Sequence, residues 1–236
     1  MDSVMRLFAA LLPPEDALDE LGDAVARLRS LPRAGDLRWT ERRNWHLTLA
    51  FYPRVTDEQL DELSDRLARA ASRATPARLT LTGGGRFADR ALWAAVHSAG
   101  PEPGRAGVHG AGPEHGDGDA GDADAHTPEQ EHRAGGDAPG TEALRRLARA
   151  CAAAGRRAGI EGAGDGHRFR PHVTLAYTRP RRRDVDLPAY VDALDAFRGT
   201  PWTAGELVLV RSHLPVSGVP GEQPRYERLV GWPLGS

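Results

Sequence analysis

An α+β protein of two pseudo-symmetric lobes is the fold class this sequence predicts, on three observations. Helical and strand periodicities alternate along most of the chain. An eight-residue pattern, WHLTLAFY at residues 45–52, recurs as PHVTLAYT at residues 171–178. One long segment, residues 98–140, lacks the apolar residues a core needs, and setting it aside leaves two stretches of similar layout.

The elements follow in order. The apolar run Leu7 to Leu12 predicts a strand over Arg6 to Leu12. Leu18, Leu21, Val25 and Leu28 recur at helical spacing, which predicts a helix from Glu15 to Leu31. His46 to Tyr52 alternates as a strand. Thr56 is the expected N-cap of a helix from Asp57 to Ala74, with Leu60, Leu63 and Leu67 on one face. Strands are expected at Leu79 to Thr82 and Ala91 to His97, with Gly83-Gly84-Gly85 read as the turn between them. A helix at Thr141 to Gly155, a strand at His172 to Thr178 and a helix at Leu187 to Phe197 follow. Strands at Glu206 to His213 and Tyr226 to Trp232 complete the pattern.

Residues 98–140 contain 11 glycines and no Leu, Ile, Phe, Tyr or Trp. The segment carries −7 of a chain total of −2, leaving +5 on the rest. So little apolar surface cannot offset the entropy of ordering the chain, so an acidic, glycine-rich disordered insertion is expected within a single bilobal domain spanning 1–236. Its four histidines, His109, His115, His126 and His132, match no ordered metal-ligand spacing and read as solvated.

Composition removes whole chemistries. All 31 basic residues are arginine. A phosphate-loop lysine, a Schiff-base lysine and a lysine nucleophile of nucleotidyl transfer are therefore excluded. No run approaches the ~18 apolar residues of a membrane helix. The opening residues have too short an apolar stretch for a signal peptide, so a cytoplasmic protein is expected. Cys151, the only cysteine, falls on a helix and reads as a packing residue.

The repeated pattern carries the chemistry. On a regular strand His46, Thr48 and Ala50 share one face, as do His172, Thr174 and Ala176, with apolar residues opposite. Each histidine then stands ~6.6 Å along the strand from a hydroxyl. If the halves are related by a pseudo-twofold axis, the two faces meet across a groove. Two hydroxyls there suit phosphate oxygens, and two imidazoles suit protons on attacking and leaving oxygens. Imidazole titrates near neutrality, so one ring can give a proton while the other takes one, without a metal or other cofactor. Arg6, Arg86 and Arg170 are further candidates for phosphate contacts. Phe8, Tyr52 and Tyr226 are read as core residues that could otherwise stack a base, and Arg181 to Arg183 as a solvated turn that could rim an RNA site.

At these residues the chain resembles the 2H phosphoesterase family, which is defined by paired His-x-Thr/Ser motifs in two pseudo-symmetric lobes. The nearest branch looks like the RNA 2′,3′-cyclic phosphodiesterases, also called 2′-5′ RNA ligases. RLFAAL from Arg6, Phe87 with Leu92-Trp93, FRPHVTLA from Phe169 and LVLVRS from Leu207 support it. Tyr177 stands where that branch often has arginine, and Pro53 where glycine is common. The resemblance implies lobes that are each an antiparallel sheet with helices packed outside, with the active site in the groove between them. It implies hydrolysis of a terminal 2′,3′-cyclic phosphate to a 2′-phosphomonoester. His46 would be the proton donor and His172 the proton acceptor, with Thr48 and Thr174 binding phosphate and no metal. The implied partners are RNA ends or nucleotides bearing a 2′,3′-cyclic phosphate, with no membrane, and the chain is expected to be a monomer. Two other readings stay open: a non-catalytic AMP-like nucleotide-binding module, and the same chemistry on another cyclic phosphate or a 2′-5′ linkage.

Overall fold

The structure, a computed structural model, describes residues 4–99, 139–164, 169–179, 185–215 and 222–235. The chain order is β1 (Met5–Leu11), α1 (Glu15–Leu28), β2 (Leu37–Trp39), β3 (Leu47–Val55) and α2 (Asp57–Ser72). It continues through β4 (Ala77–Phe87), β5 (Ala91–Ser98), α3 (Pro139–Arg157), β6 (His172–Thr178) and α4 (Leu187–Leu194), and closes with β7 (Trp202–Ala204), β8 (Glu206–His213) and β9 (Arg225–Pro233).

Among the described residues, nine strands all pair antiparallel, in the order β7-β4-β5-β6-β3-β1-β8-β9 with β2 adding to β6. The two motif strands, β3 and β6, lie side by side at the centre. They touch through one registered pair, Leu47 opposite Val173. That narrow seam divides the sheet into two wings, so the expected α+β fold with two lobes is found. The wings are not the two halves of the sequence. The β4–β5 hairpin follows the first motif yet pairs with β6 of the second, and β8–β9 return to pair with β1 beside β3. Each wing therefore needs both halves of the chain.

Alternation along the strands separates two faces. Leu7, Ala9 and Leu11 of β1 and Leu207 and Leu209 of β8 join the main core, to which α1, α2, α3 and α4 each contribute. Phe8 and Ala10 of β1 and Val208 and Val210 of β8 form a small second cluster on the opposite face, with Phe51 and Tyr226 against it. Helix α2 starts as expected, at a capping box in which the Gln59 amide donates to Thr56 Oγ1 and the Thr56 amide donates to Gln59 Oε1. Helix α1 stops at Leu28 rather than Leu31, because Ser30 and Leu31 close three-residue turns onto Arg27 and Leu28 instead of continuing the helical ladder. Helix α4 likewise ends at Leu194, where Phe197 turns back onto its carbonyl. Helix α3 begins at Pro139, two residues before the expected start. The expected insertion lies outside the described residues from 100 to 138.

One turn is misplaced by the sequence reading. Gly83 to Gly85 do not reverse the chain. They are interior to β4, with a bulge between Thr82 and Gly84 where Gly83 takes a left-handed φ of +57°. The reversal comes at Ala88 to Arg90, closed by the Arg90 amide donating to the Phe87 carbonyl. The glycines are there for close approach. A Cβ on Gly85 would sit 2.2 Å from the Trp93 ring, and one on Gly84 2.7 Å from Leu194. Gly85→Ala is expected to push Trp93 off its seat and lower stability by about 1–3 kcal/mol in urea unfolding.

Candidate active site

The four motif residues converge. His46, Thr48, His172 and Thr174 all line one cavity of about 420 Å³, on the sheet face opposite the helices. That volume lies in the range of small-ligand sites. Both histidines are half-buried, and both are held alike. Nδ1 of His46 donates to the Asn44 carbonyl at 2.7 Å, and Nδ1 of His172 donates to the Arg170 carbonyl at 2.7 Å. A carbonyl can only accept, so each ring keeps its proton on Nδ1 and leaves Nε2 for chemistry.

The rings sit in aromatic walls that mirror one another. His46 stacks on Phe8 at 4.5 Å between centroids and meets the edge of Tyr226 at 5.3 Å. His172 meets Phe87 edge-on at 4.9 Å and Trp93 at 5.8 Å. These walls desolvate the imidazolium. Burial pushes His46 down to about 4, against the pull of the Asn44 carbonyl and aided by the charge of His172. Burial also lowers His172, against the Arg170 carbonyl.

A stability consequence follows. Between pH 6.5 and about 4 the unfolded chain protonates His46 and the folded chain does not, so folding stability falls as pH drops through that window. The expected loss from His46 is on the order of 2–3 kcal/mol. His46→Gln should flatten the pH dependence of the urea midpoint over that window; an unchanged slope contradicts the assignment.

The alternation expected after the motif threonines fails at matching places. Thr48 pairs with Ala10 and Ala50 with Ala9, so Leu49 is bulged out of register; Thr174 pairs with Trp93 and Ala176 with Leu92, so Leu175 is bulged too. Ala50 and Ala176 turn into the core. Phe51 and Tyr177 take their places on the cavity wall. Arg6 lies over the Phe51 ring at 4.3 Å and Arg38 over the Tyr177 ring at 4.9 Å, so each aromatic carries a guanidinium at the rim.

Of the other expected candidates, Arg6, Phe8 and Tyr226 line the cavity. Arg86 is tied to Asp89 at 2.9 Å, and Arg170 contributes its carbonyl to His172. Tyr52 is a core residue with no exposure, its hydroxyl donating to the Cys151 carbonyl at 2.9 Å. Cys151 is buried, and burial raises its thiol to about 12, as befits packing rather than nucleophilic attack. Arg181 to Arg183 lie outside the described residues.

The sequence reading missed the part of the wall built by β2 and the segment before β9. Gln223 donates to the Trp39 carbonyl at 2.6 Å and accepts from the Glu41 amide at 3.1 Å, which fixes the stretch carrying Arg38, Thr40 and Asn44 against the site. Thr40 Oγ1 is buried there with no protein partner. A three-residue strand leaves no periodicity to read.

The comparisons with known proteins point the same way as the fold. Residues 11–93 match the family model for LigT like phosphoesterase, and the chain shares its fold with solved structures of E. coli LigT. Among solved structures, TT0787 of Thermus thermophilus aligns at 23% identity and a TM-score of 0.60, covering 98% of each chain. E. coli LigT complexed with 3′-AMP aligns at 20% identity and 0.60 over 99% of each chain. Its complex with ATP aligns at 20% and 0.58 over 99% of this chain and 100% of that one. Among the described residues, no helix is long and apolar enough to cross a membrane.

Proposed function

We propose that the chain hydrolyses terminal 2′,3′-cyclic phosphates of RNA or nucleotides to 2′-phosphomonoesters, using His46 and His172 as the acid–base pair. The observation that carries this reading is the convergence of both His-Thr pairs on one cavity, with both Nδ1 atoms committed to backbone carbonyls. Nucleotide occupancy is supported by the relatives: crystal structures of E. coli LigT hold ATP, 3′-AMP and NADP+.

In the proposed step, Nε2 of neutral His172 takes a proton from water as its oxygen bonds to phosphorus. The bond from phosphorus to the 3′ oxygen breaks, and Nε2 of protonated His46 gives that oxygen its proton. The Thr48 and Thr174 hydroxyls donate to the non-bridging oxygens, whose charge grows as the transition state forms. Arg6 and Arg38 at the rim add positive charge. The pair needs one proton between two rings, and the charge on His172 opposes a proton on His46. A second proton is therefore disfavoured. An arriving phosphodiester anion offsets the desolvation that lowers both rings, so substrate itself raises the proton affinity of His46.

The pH profile tests this. Because both rings are lowered in the free protein, kcat/KM for a 2′,3′-cyclic mononucleotide should peak below pH 6.5 and fall through neutrality as the pair loses its proton. The profile for kcat, which reports the bound state, should extend to higher pH. A kcat/KM that climbs steadily from pH 6 to 9 contradicts the scheme. Turnover should persist in EDTA, and loss on chelation refutes metal-free chemistry. Tight AMP binding without turnover of any cyclic phosphate would instead favour a binding module.

A further inference from the structure

The helical face carries a second charged concavity that phosphodiester chemistry in the groove does not use. Helices α2 and α3 pack against each other and leave between them a cleft of about 380 Å³. Its rim is five arginines: Arg66, Arg69 and Arg73 from α2 and its C-cap, with Arg146 and Arg157 from α3. Positions 66, 69 and 73 fall on one stripe of α2, so the three guanidinium groups rise along a single edge. The floor is shallow because its side chains are small: Ala70, Ala74, Ala143, Ala150 and Ala154. Among the described residues, no acidic side chain lines it.

Charge neutralisation within the protein is incomplete. Arg66 meets Glu62 at 2.5 Å, yet its Nε is buried without a hydrogen-bond partner. The other four arginines are exposed, and among the described residues none of them forms an ion pair. Elsewhere on α3, Arg149 pairs with Glu142, and the first half of α2 is acidic. Helix dipoles favour cations in the last turns, which covers Arg73 and Arg157. They do not account for Arg146, nor for four unmatched cations converging on one trough.

We infer that this cleft is a second, non-catalytic site for a run of phosphates, on the opposite face of the sheet from the histidines. Several guanidinium groups along a trough suit successive phosphates, each offering two oxygens to a planar fork. A single-stranded nucleic acid backbone and a free polyphosphate present that same chemistry. The inference does not depend on the proposed reaction.

Fluorescence anisotropy of a labelled 12-nucleotide single-stranded RNA ending in a 3′ hydroxyl, with inorganic tripolyphosphate as competitor, tests it. The full chain is compared with a quadruple variant, R69Q/R73Q/R146Q/R157Q. Four neutralised phosphates give a slope of log affinity on log salt of about −3, so binding should weaken by roughly 50-fold between 50 and 200 mM salt. The variant should lose at least 10-fold in affinity at 50 mM salt and most of the slope. Its melting temperature and its turnover of a cyclic mononucleotide should be unchanged. If tripolyphosphate displaces the RNA stoichiometrically, the site takes short polyphosphates; if only RNA binds, it takes a nucleic acid backbone. Both outcomes support the site. No binding of either ligand at 50 mM salt, or wild-type affinity in the variant, overturns it. Failure of cyclic-phosphate turnover, with salt-dependent binding intact, refutes the proposed reaction and leaves this site standing.

Discussion

Replacing either His46 or His172 with alanine is expected to lower kcat on a 2′,3′-cyclic nucleotide by roughly 10²–10⁴-fold, with the melting temperature little changed. Both rings lie at the cavity wall rather than in the main core, so truncation removes proton transfer and little packing. The two positions serve one step, so the double variant should be barely slower than the worse single one. Initial rates for the two singles and the double give the comparison. Independent, multiplying losses mean that the two rings do not act in the same transition state. A single variant that stays active removes that ring from the mechanism.

The largest effect on stability is expected at Tyr52. It is the last residue of the first repeated pattern, within β3, is fully buried, and ties β3 to α3 through its hydroxyl on the Cys151 carbonyl. Gly155 of α3 makes room for the ring; a Cβ there would lie 2.6 Å from it. Tyr52→Ala leaves a ring-sized cavity beneath the motif and should cost about 3–5 kcal/mol. Tyr52→Phe keeps the ring and loses one hydrogen bond, so about 1 kcal/mol is expected. Chemical denaturation of the two variants separates packing from hydrogen bonding. Equal losses for both would place the energy in the hydroxyl.

These residues also show where sequence reading succeeds and stops. The His-x-Thr repeat was legible because its residue types and spacing recur, and Thr56 and Gln59 announced the start of α2 through local hydrogen bonds. Bulges are different. Leu49 and Leu175 look like ordinary inward residues of alternating strands, and only their pairing with β1 and β5 shows the slip that turns Phe51 and Tyr177 to the cavity. Gly83 to Gly85 resemble a turn because glycine serves both reversals and close contacts, and Trp93, which decides between them, lies across the hairpin. Trp39 and Gln223 meet over a separation of 184 residues, which no local pattern encodes. The lobes could not be assigned from the halves of the chain, since each wing of the sheet exchanges its outer hairpin with the other.

The most direct measurement is ³¹P NMR of an RNA ending in a 2′,3′-cyclic phosphate, incubated with the protein in EDTA. The two-histidine account predicts conversion of the cyclic signal to a 2′-phosphomonoester alone, abolished in the His46→Ala protein. A cyclic signal that persists, a 3′-phosphomonoester product, or undiminished conversion by that variant contradicts it.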